Sequence, residues 1–140
     1  MPHPIAYLAF DGNCAEAMRF YERALGGKLE ILMSGADSPM AAQIPKEHAH
    51  RILHARLALP GGGILFAGDA PAHVPYQGIK GVSLTLNYDT VAEARRVFDA
   101  LAAGGQVTMP MQPAFWAKAW GMLVDRFGTP WIVNGELLPL

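Results

Sequence analysis

The chain has 140 residues, 51% of them hydrophobic and 16% charged, and its eleven Lys and Arg against twelve Asp and Glu give a formal charge of −1. This length suits one compact domain or two small fused units, and the apolar content is too high for a disordered tail. The balanced charge leaves no electrostatic footprint for nucleic acid or anionic lipid, no apolar run approaches the ~20 residues of a membrane span, and the single cysteine, Cys14, admits no internal disulfide. The opening Met1-Pro2-His3-Pro4 has no basic segment leading into a long apolar run, so a cytoplasmic location is expected.

Ile5 to Phe10 reads as a short apolar strand stopped by the turn Asp11-Gly12-Asn13. Asn13 and Glu16 have the spacing of a capping box, and Ala17, Phe20, Tyr21 and Ala24 recur at helical spacing up to Gly26-Gly27. Lys28 to Met33 alternates as a half-buried strand. Ser34 to Lys46 is a loop in which Pro45 opens a helical turn. Ile52 to Leu59 and Gly63 to Asp69 flank Pro60-Gly61-Gly62, whose glycines supply the positive backbone angles of a hairpin. After a second loop, Ala70 to Lys80, the strand Gly81 to Tyr88 places Val82, Leu84 and Leu86 on one face and Ser83, Thr85 and Asn87 on the other. Thr90 and Glu93 form a capping box for a helix that presents Val91, Ala94, Val97, Phe98 and Leu101 on one side and stops at Gly104-Gly105. Gln106 to Met111 is the next strand, and Trp120 to Asp125 with Trp131 to Glu136 form a last hairpin around Arg126-Phe127-Gly128. The total is eight strands and two helices.

The order strand, helix and three strands occurs twice, and the sequence echoes itself. Ala15-Glu16-Ala17-Met18-Arg19-Phe20-Tyr21-Glu22 aligns with Ala92-Glu93-Ala94-Arg95-Arg96-Val97-Phe98-Asp99, and both helices end at a double glycine. Extending this register backward pairs Ile5, Tyr7 and Ala9 with Val82, Leu84 and Leu86, a set expected to face the helices. Ala6, Leu8 and Phe10 then pair with Ser83, Thr85 and Asn87, a set expected to face away. One domain, residues 1–140, would hold repeats of about 1–70 and 78–140.

Paired units of this kind resemble the vicinal oxygen chelate superfamily of glyoxalase I, fosfomycin and bleomycin resistance proteins and extradiol dioxygenases, and above all its PhnB-like branch. The resemblance rests on Tyr7 to Cys14 leading into Ala17-Met18-Arg19-Phe20-Tyr21, on His54-Ala55-Arg56-Leu57, on Phe115-Trp116 with Trp120-Gly121-Met122, and on Asp125 to Trp131. It implies an α+β fold, two βαβββ units in a curled mixed sheet around a cup, and a homodimer. In catalytic members it further implies a divalent metal held by His, Gln or Glu. Carried onto this chain, the ligand positions fall at Ala6, Gly81 and near Ile132, with Asp69 the one carboxylate in the fourth strand. A catalytic site needs about three protein ligands, so no metal cofactor is expected.

Other residues invite chemistry. Glu47, His50 and His54 would share a helical face, but His54 belongs to a strand, and an exposed loop is the favoured reading for His48 and His50. His54 and Arg56 share a strand face that either suits an anionic or carbonyl-bearing ligand or forms a solvated edge. Trp116 and Trp120 either line a cleft or pack in the core. Cys14 at a helix start is either activated by the macrodipole or, the favoured reading, a plain buried thiol. The expected ligand site comprises His54, Arg56, Phe66, Asp69, Ser83, Thr85, Trp116, Trp120 and Asn134, taking a small, neutral or weakly polar organic molecule. The alternatives are a metal-dependent lyase, transferase or dioxygenase, and a methyltransferase, for which Asp11-Gly12-Asn13 is too short a glycine signal.

Overall fold

The computed structural model describes residues 2–140, and its contacts divide the chain into two compact units, one ending at Gly78 and the other beginning at Ile79. The first holds β1 (Tyr7–Phe10), α1 (Cys14–Leu25), β2 (Lys28–Ser34), β3 (Ile52–Ala58) and β4 (Ile64–Asp69). Two 3-10 turns, Ala41–Gln43 and Lys46–His48, lie in the loop after β2. The second holds β5 (Leu84–Tyr88), α2 (Val91–Ala102), β6 (Gln106–Gln112), β7 (Ala117–Val124) and β8 (Pro130–Leu137). Each unit forms one four-stranded mixed sheet, ordered β1-β4-β3-β2 and β5-β8-β7-β6. In both, the first strand pairs with the last in parallel and the other pairs are antiparallel. The architecture is α+β, as the sequence implies.

The two helices bury equivalent faces. Ala17, Phe20, Tyr21 and Ala24 of α1 are buried, and so are their echoes Ala94, Val97, Phe98 and Leu101 of α2. Apolar burial of this kind, more than helix propensity, keeps such short helices formed. The second glycine of each double glycine has a packing role. A Cβ on Gly27 would run into the Ala58 carbonyl, and one on Gly105 into the Val124 carbonyl, so each sheet closes on the backbone where a side chain would stand.

Two expectations fail together at the turn into α1. Asn13 makes no side-chain cap bond, because its backbone (φ −112°, ψ 20°) lacks the extended conformation that aims a capping side chain at the first amides. Thr90 is extended (φ −126°, ψ 149°) and does accept from the Glu93 amide at 3.2 Å. In α1 the cap comes from another strand. Asp69 Oδ1, at the end of β4, accepts from the amides of Gly12 at 2.7 Å and Cys14 at 3.1 Å.

The turn also differs in length. Three residues separate β1 from α1 and two separate β5 from α2, so the helix register cannot be carried back into the strands unchanged. In β5 the expectation holds, since Leu84 and Leu86 pair with buried Trp131 and Val133. In β1 it is reversed. Leu8 and Phe10 are buried, with the Phe10 ring 6.4 Å from Tyr21 of α1, while Tyr7 is 53% exposed and Ala9 is exposed. One extra turn residue turns every side chain of a strand to the opposite face. The faces turned away from the helices therefore carry Tyr7, His54, Arg56 and Phe66 in the first sheet, and Thr85, Asn87, Trp120, Ile132 and Asn134 in the second.

Candidate functional site

On the outer face of the second sheet, three residues that lie far apart in the chain are locked to one another. Trp116, in the loop before β7, donates its indole N–H to Asn134 Oδ1 at 3.1 Å, and Asn134 Nδ2 donates to Asn87 Oδ1 at 2.9 Å. The pairing Asn87↔Asn134↔Trp120 across β5, β8 and β7 sets these side chains in one row. The Trp116 ring lies 5.0 Å from Trp120 at 55°, and the Phe115 ring meets Trp116 edge-on at 4.8 Å. Asn134 is 6% exposed beneath these rings, whereas Phe115 is 78% exposed. The result is an aromatic wall held by the buried Asn134 amide, which is tied in turn to exposed Asn87, and open on its outer side. Thr85, Ile132 and Met122 continue this face, and Lys118 forms an ion pair with Glu136 at its margin. Glu136 has a positive φ of 57°, backbone strain of a kind that a non-glycine residue adopts only where its surroundings impose it. Ser83 is exposed and precedes β5, so it stands outside the row.

The outer face of the first sheet gathers Tyr7, His54 and Phe66. The Tyr7 and His54 rings are stacked at 5.8 Å, and Phe66 approaches His54 edge-on at 5.1 Å. Tyr7 opens the Tyr7 to Cys14 stretch that carries the family resemblance, but the misassigned face of β1 turned it toward the helix and kept it out of the expected site. Arg56 forms a half-exposed ion pair with Glu30, Nε to Oε1 at 2.9 Å but without hydrogen-bond geometry, so its charge on this face is matched by a carboxylate.

Asp69 is committed to structure. Besides its two bonds at the α1 turn, its Oδ2 accepts from the Ile52 amide at 2.7 Å, so one carboxylate joins β4, β3 and α1. Its flank borders a recess of about 420 Å³ in the first unit, also lined by His48, Arg51, Leu53 and His73. Arg51 Nη2 pairs with Asp11 at 2.9 Å and the Ala70 carbonyl at 2.5 Å.

Cys14 is buried, and its thiol is pushed up to about 12, first by burial and then by the Asp69 carboxylate. Burial and the neighbouring carboxylate both oppose activation and support the plain-thiol reading. The folded thiol keeps its proton above the ordinary value of 9.0, so Cys14 leaves stability unchanged below about pH 9 and lowers it as pH rises from there toward 12. Denaturant midpoints measured between about pH 8 and 11 should fall for the parent protein and fall less for Cys14→Ala. A residual decline above about pH 10 is expected, because Tyr7, Tyr76 and Tyr88 are also raised, each chiefly by burial.

The outward positions of the paired first and last strands carry no His, Cys, Asp or Glu in either sheet. They are Tyr7, Ala9, Phe66 and Gly68 in one sheet and Thr85, Asn87, Ile132 and Asn134 in the other. Among the described residues no three His, Cys, Asp or Glu side chains come together as a metal-holding group. No helix among them is long and apolar enough to cross a membrane.

Comparison with known proteins bears on this geometry. A family model of the Glyoxalase/Bleomycin resistance protein/Dioxygenase superfamily matches residues 3–133. The chain is 35% identical over 137 residues to protein YjdN of Escherichia coli K12, covering 91% of each. It is similar to the crystal structure of protein PA1353 from Pseudomonas aeruginosa, with 46% identity, a TM-score of 0.87, and 96% of this chain and 97% of that one covered. The PhnB protein from Bacillus cereus shares the fold at 23% identity and a TM-score of 0.77, covering 95% of this chain and 98% of its own. The fold is thus glyoxalase-like.

Proposed function

We propose that this chain, which belongs to the Glyoxalase/Bleomycin resistance protein/Dioxygenase superfamily, binds a small planar organic molecule without a resident metal. The observation that carries this reading is the Trp116–Asn134–Asn87 chain of hydrogen bonds, which holds Trp116 beside Trp120 with exposed Phe115 at its edge. Rigid aromatic surface with a few fixed polar groups suits a flat ligand of low charge, because little side-chain entropy is lost on binding. Thr85 adds a hydroxyl to this face of the second sheet, and the outer face of the first sheet, taken by itself, carries a separate aromatic cluster of Tyr7, His54 and Phe66. Arg56, Asp69 and Ser83, expected in the site, are left out of it: Arg56 is paired with Glu30, Asp69 with three amides, and Ser83 lies outside the strand. A metal-dependent enzyme is disfavoured by the missing donors.

Quinoline, a small flat molecule of low charge, should quench tryptophan fluorescence on titration in the presence of a chelator. Asn134→Ala, which frees the Trp116 ring, should weaken that binding about tenfold. Trp116→Phe, which keeps a ring and loses only the N–H, should weaken it less. Unchanged affinity in Asn134→Ala would count against the aromatic wall as the site. We further propose a homodimer, supported by the two edge strands that each sheet has when taken by itself and by exposed Met33, Val82 and Val107. Light scattering should give twice the chain mass at micromolar concentration, and a monomer there refutes it.

A further inference from the structure

We infer that His54 is held as the tautomer with its hydrogen on Nδ1, so that a bare Nε2 is presented as the acceptor for a neutral N–H or O–H group of the ligand. The Tyr7 hydroxyl lies 3.2 Å from the Leu53 carbonyl oxygen and 3.3 Å from His54 Nδ1. A carbonyl can only accept, so the phenol hydrogen goes to Leu53. The second contact is then a hydrogen bond only if Nδ1 carries a hydrogen and the phenol oxygen accepts it. This is the one proton assignment that makes both contacts hydrogen bonds, and in the neutral ring it leaves Nε2 without a hydrogen.

The arrangement is built into the sheet. A Cβ on Gly68 of β4 would stand 2.8 Å from the Tyr7 hydroxyl and 3.1 Å from the Leu53 carbonyl, so the absence of a side chain there is what lets the phenol reach both partners. Tyr7 and Phe66 stand in register on neighbouring strands, and with His54 their rings form three sides of one aromatic corner. Burial, then Cys14, raises the Tyr7 phenol, which keeps its hydrogen available to Leu53. Nε2 has no hydrogen-bond partner among the described residues.

Two features select the ligand class. The positive charge on this strand face, Arg56, is matched by Glu30, and the open polar atom is an acceptor. A carboxylate or phosphate would meet a lone pair there and be repelled. A phenol, indole or lactam would offer the hydrogen that Nε2 lacks, while its flat ring packs on Phe66 and Tyr7. The nature of the occupant rests on the ligand-binding reading above; the proton placement does not.

The test uses the full-length protein and long-range 15N–1H correlation spectra at about pH 8. His54 should show a protonated Nδ1 and an unprotonated Nε2, and Tyr7→Phe should move the ring toward the Nε2–H form. An Nε2–H ring in the parent protein, or a Tyr7→Phe spectrum identical to it, overturns the proton placement. Phenol and anisole, rings of like size with and without an O–H, are then titrated. Phenol should bind about fivefold or more tighter and shift the Nε2 resonance. Equal binding of both overturns the donor assignment alone, and binding of neither overturns it together with the ligand-binding reading.

Discussion

Replacing Asp69 with alanine should destabilise the first unit by about 3–5 kcal/mol, lowering the melting temperature by about 10–20 °C. Three backbone amides lose their acceptor at once: those of Gly12, Cys14 and Ile52, at 2.7, 3.1 and 2.7 Å. Two belong to the turn that opens α1, where Asn13 provides no side-chain cap, so the amide dipoles at that end lose their countercharge. The third opens β3, two residues before His54. Asp69→Asn keeps one oxygen and turns an N–H₂ toward a donor, so it should fall between alanine and the parent protein. Thermal and urea melts of the three proteins check the order. An Asp69→Ala protein as stable as the parent would show that these bonds contribute little.

A loss of similar size is expected from Asp125→Ala in the second unit. Asp125 is 3% exposed; its Oδ1 accepts from the amides of Phe127 at 2.8 Å and Thr129 at 3.1 Å, and its Oδ2 from the indole N–H of Trp131 at 2.8 Å. Buried donors left without an acceptor cost about 1–3 kcal/mol each, with some recovered by relaxation and water, so about 3–5 kcal/mol is the expected total. The damage should reach the site as well. This carboxylate sets the tight turn between β7 and β8, and Trp120 and Asn134 face each other across that hairpin. A change of register by one residue would turn them to opposite faces. Asp125→Asn retains an oxygen for the two amides and opposes the indole N–H with another donor, so its smaller loss isolates the Trp131 bond. Urea denaturation of both variants, followed by tryptophan fluorescence, measures each part.

Period-two and helical patterns, with glycines at the turns, made all eight strands and both helices legible, because each signal is local. What the sequence hid depends on contacts between distant residues. Thr90 caps its own helix and was readable. The cap on α1 comes from Asp69, 55 residues after Cys14, and the spacing of Asn13 and Glu16 imitated a local one. The single extra residue in Asp11-Gly12-Asn13 reversed the assigned face of β1, and with it the role of Tyr7. Trp116 and Trp120 stand out in the sequence as large aromatics beside a loop, and Asn134 by strand register, but the hydrogen bonds from Trp116 to Asn134 and on to Asn87 join residues up to 47 positions apart and leave no local mark. Arg56 reads in the sequence either as a receptor for an anionic or carbonyl-bearing ligand or as a solvated edge, because its ion-pair partner Glu30 lies on the neighbouring strand, 26 positions away.

The central claim, an organic ligand bound without metal on the Trp116–Trp120 face, is tested most directly by ligand-observed NMR. Chelator-treated protein would be screened against a set of planar aromatic fragments, before and after adding manganese, nickel or zinc. Fragments should bind in the presence of chelator, lose binding in Trp116→Ala, and gain nothing from added metal. Binding that appears only after metal is added, or no aromatic fragment bound at all, would contradict this account.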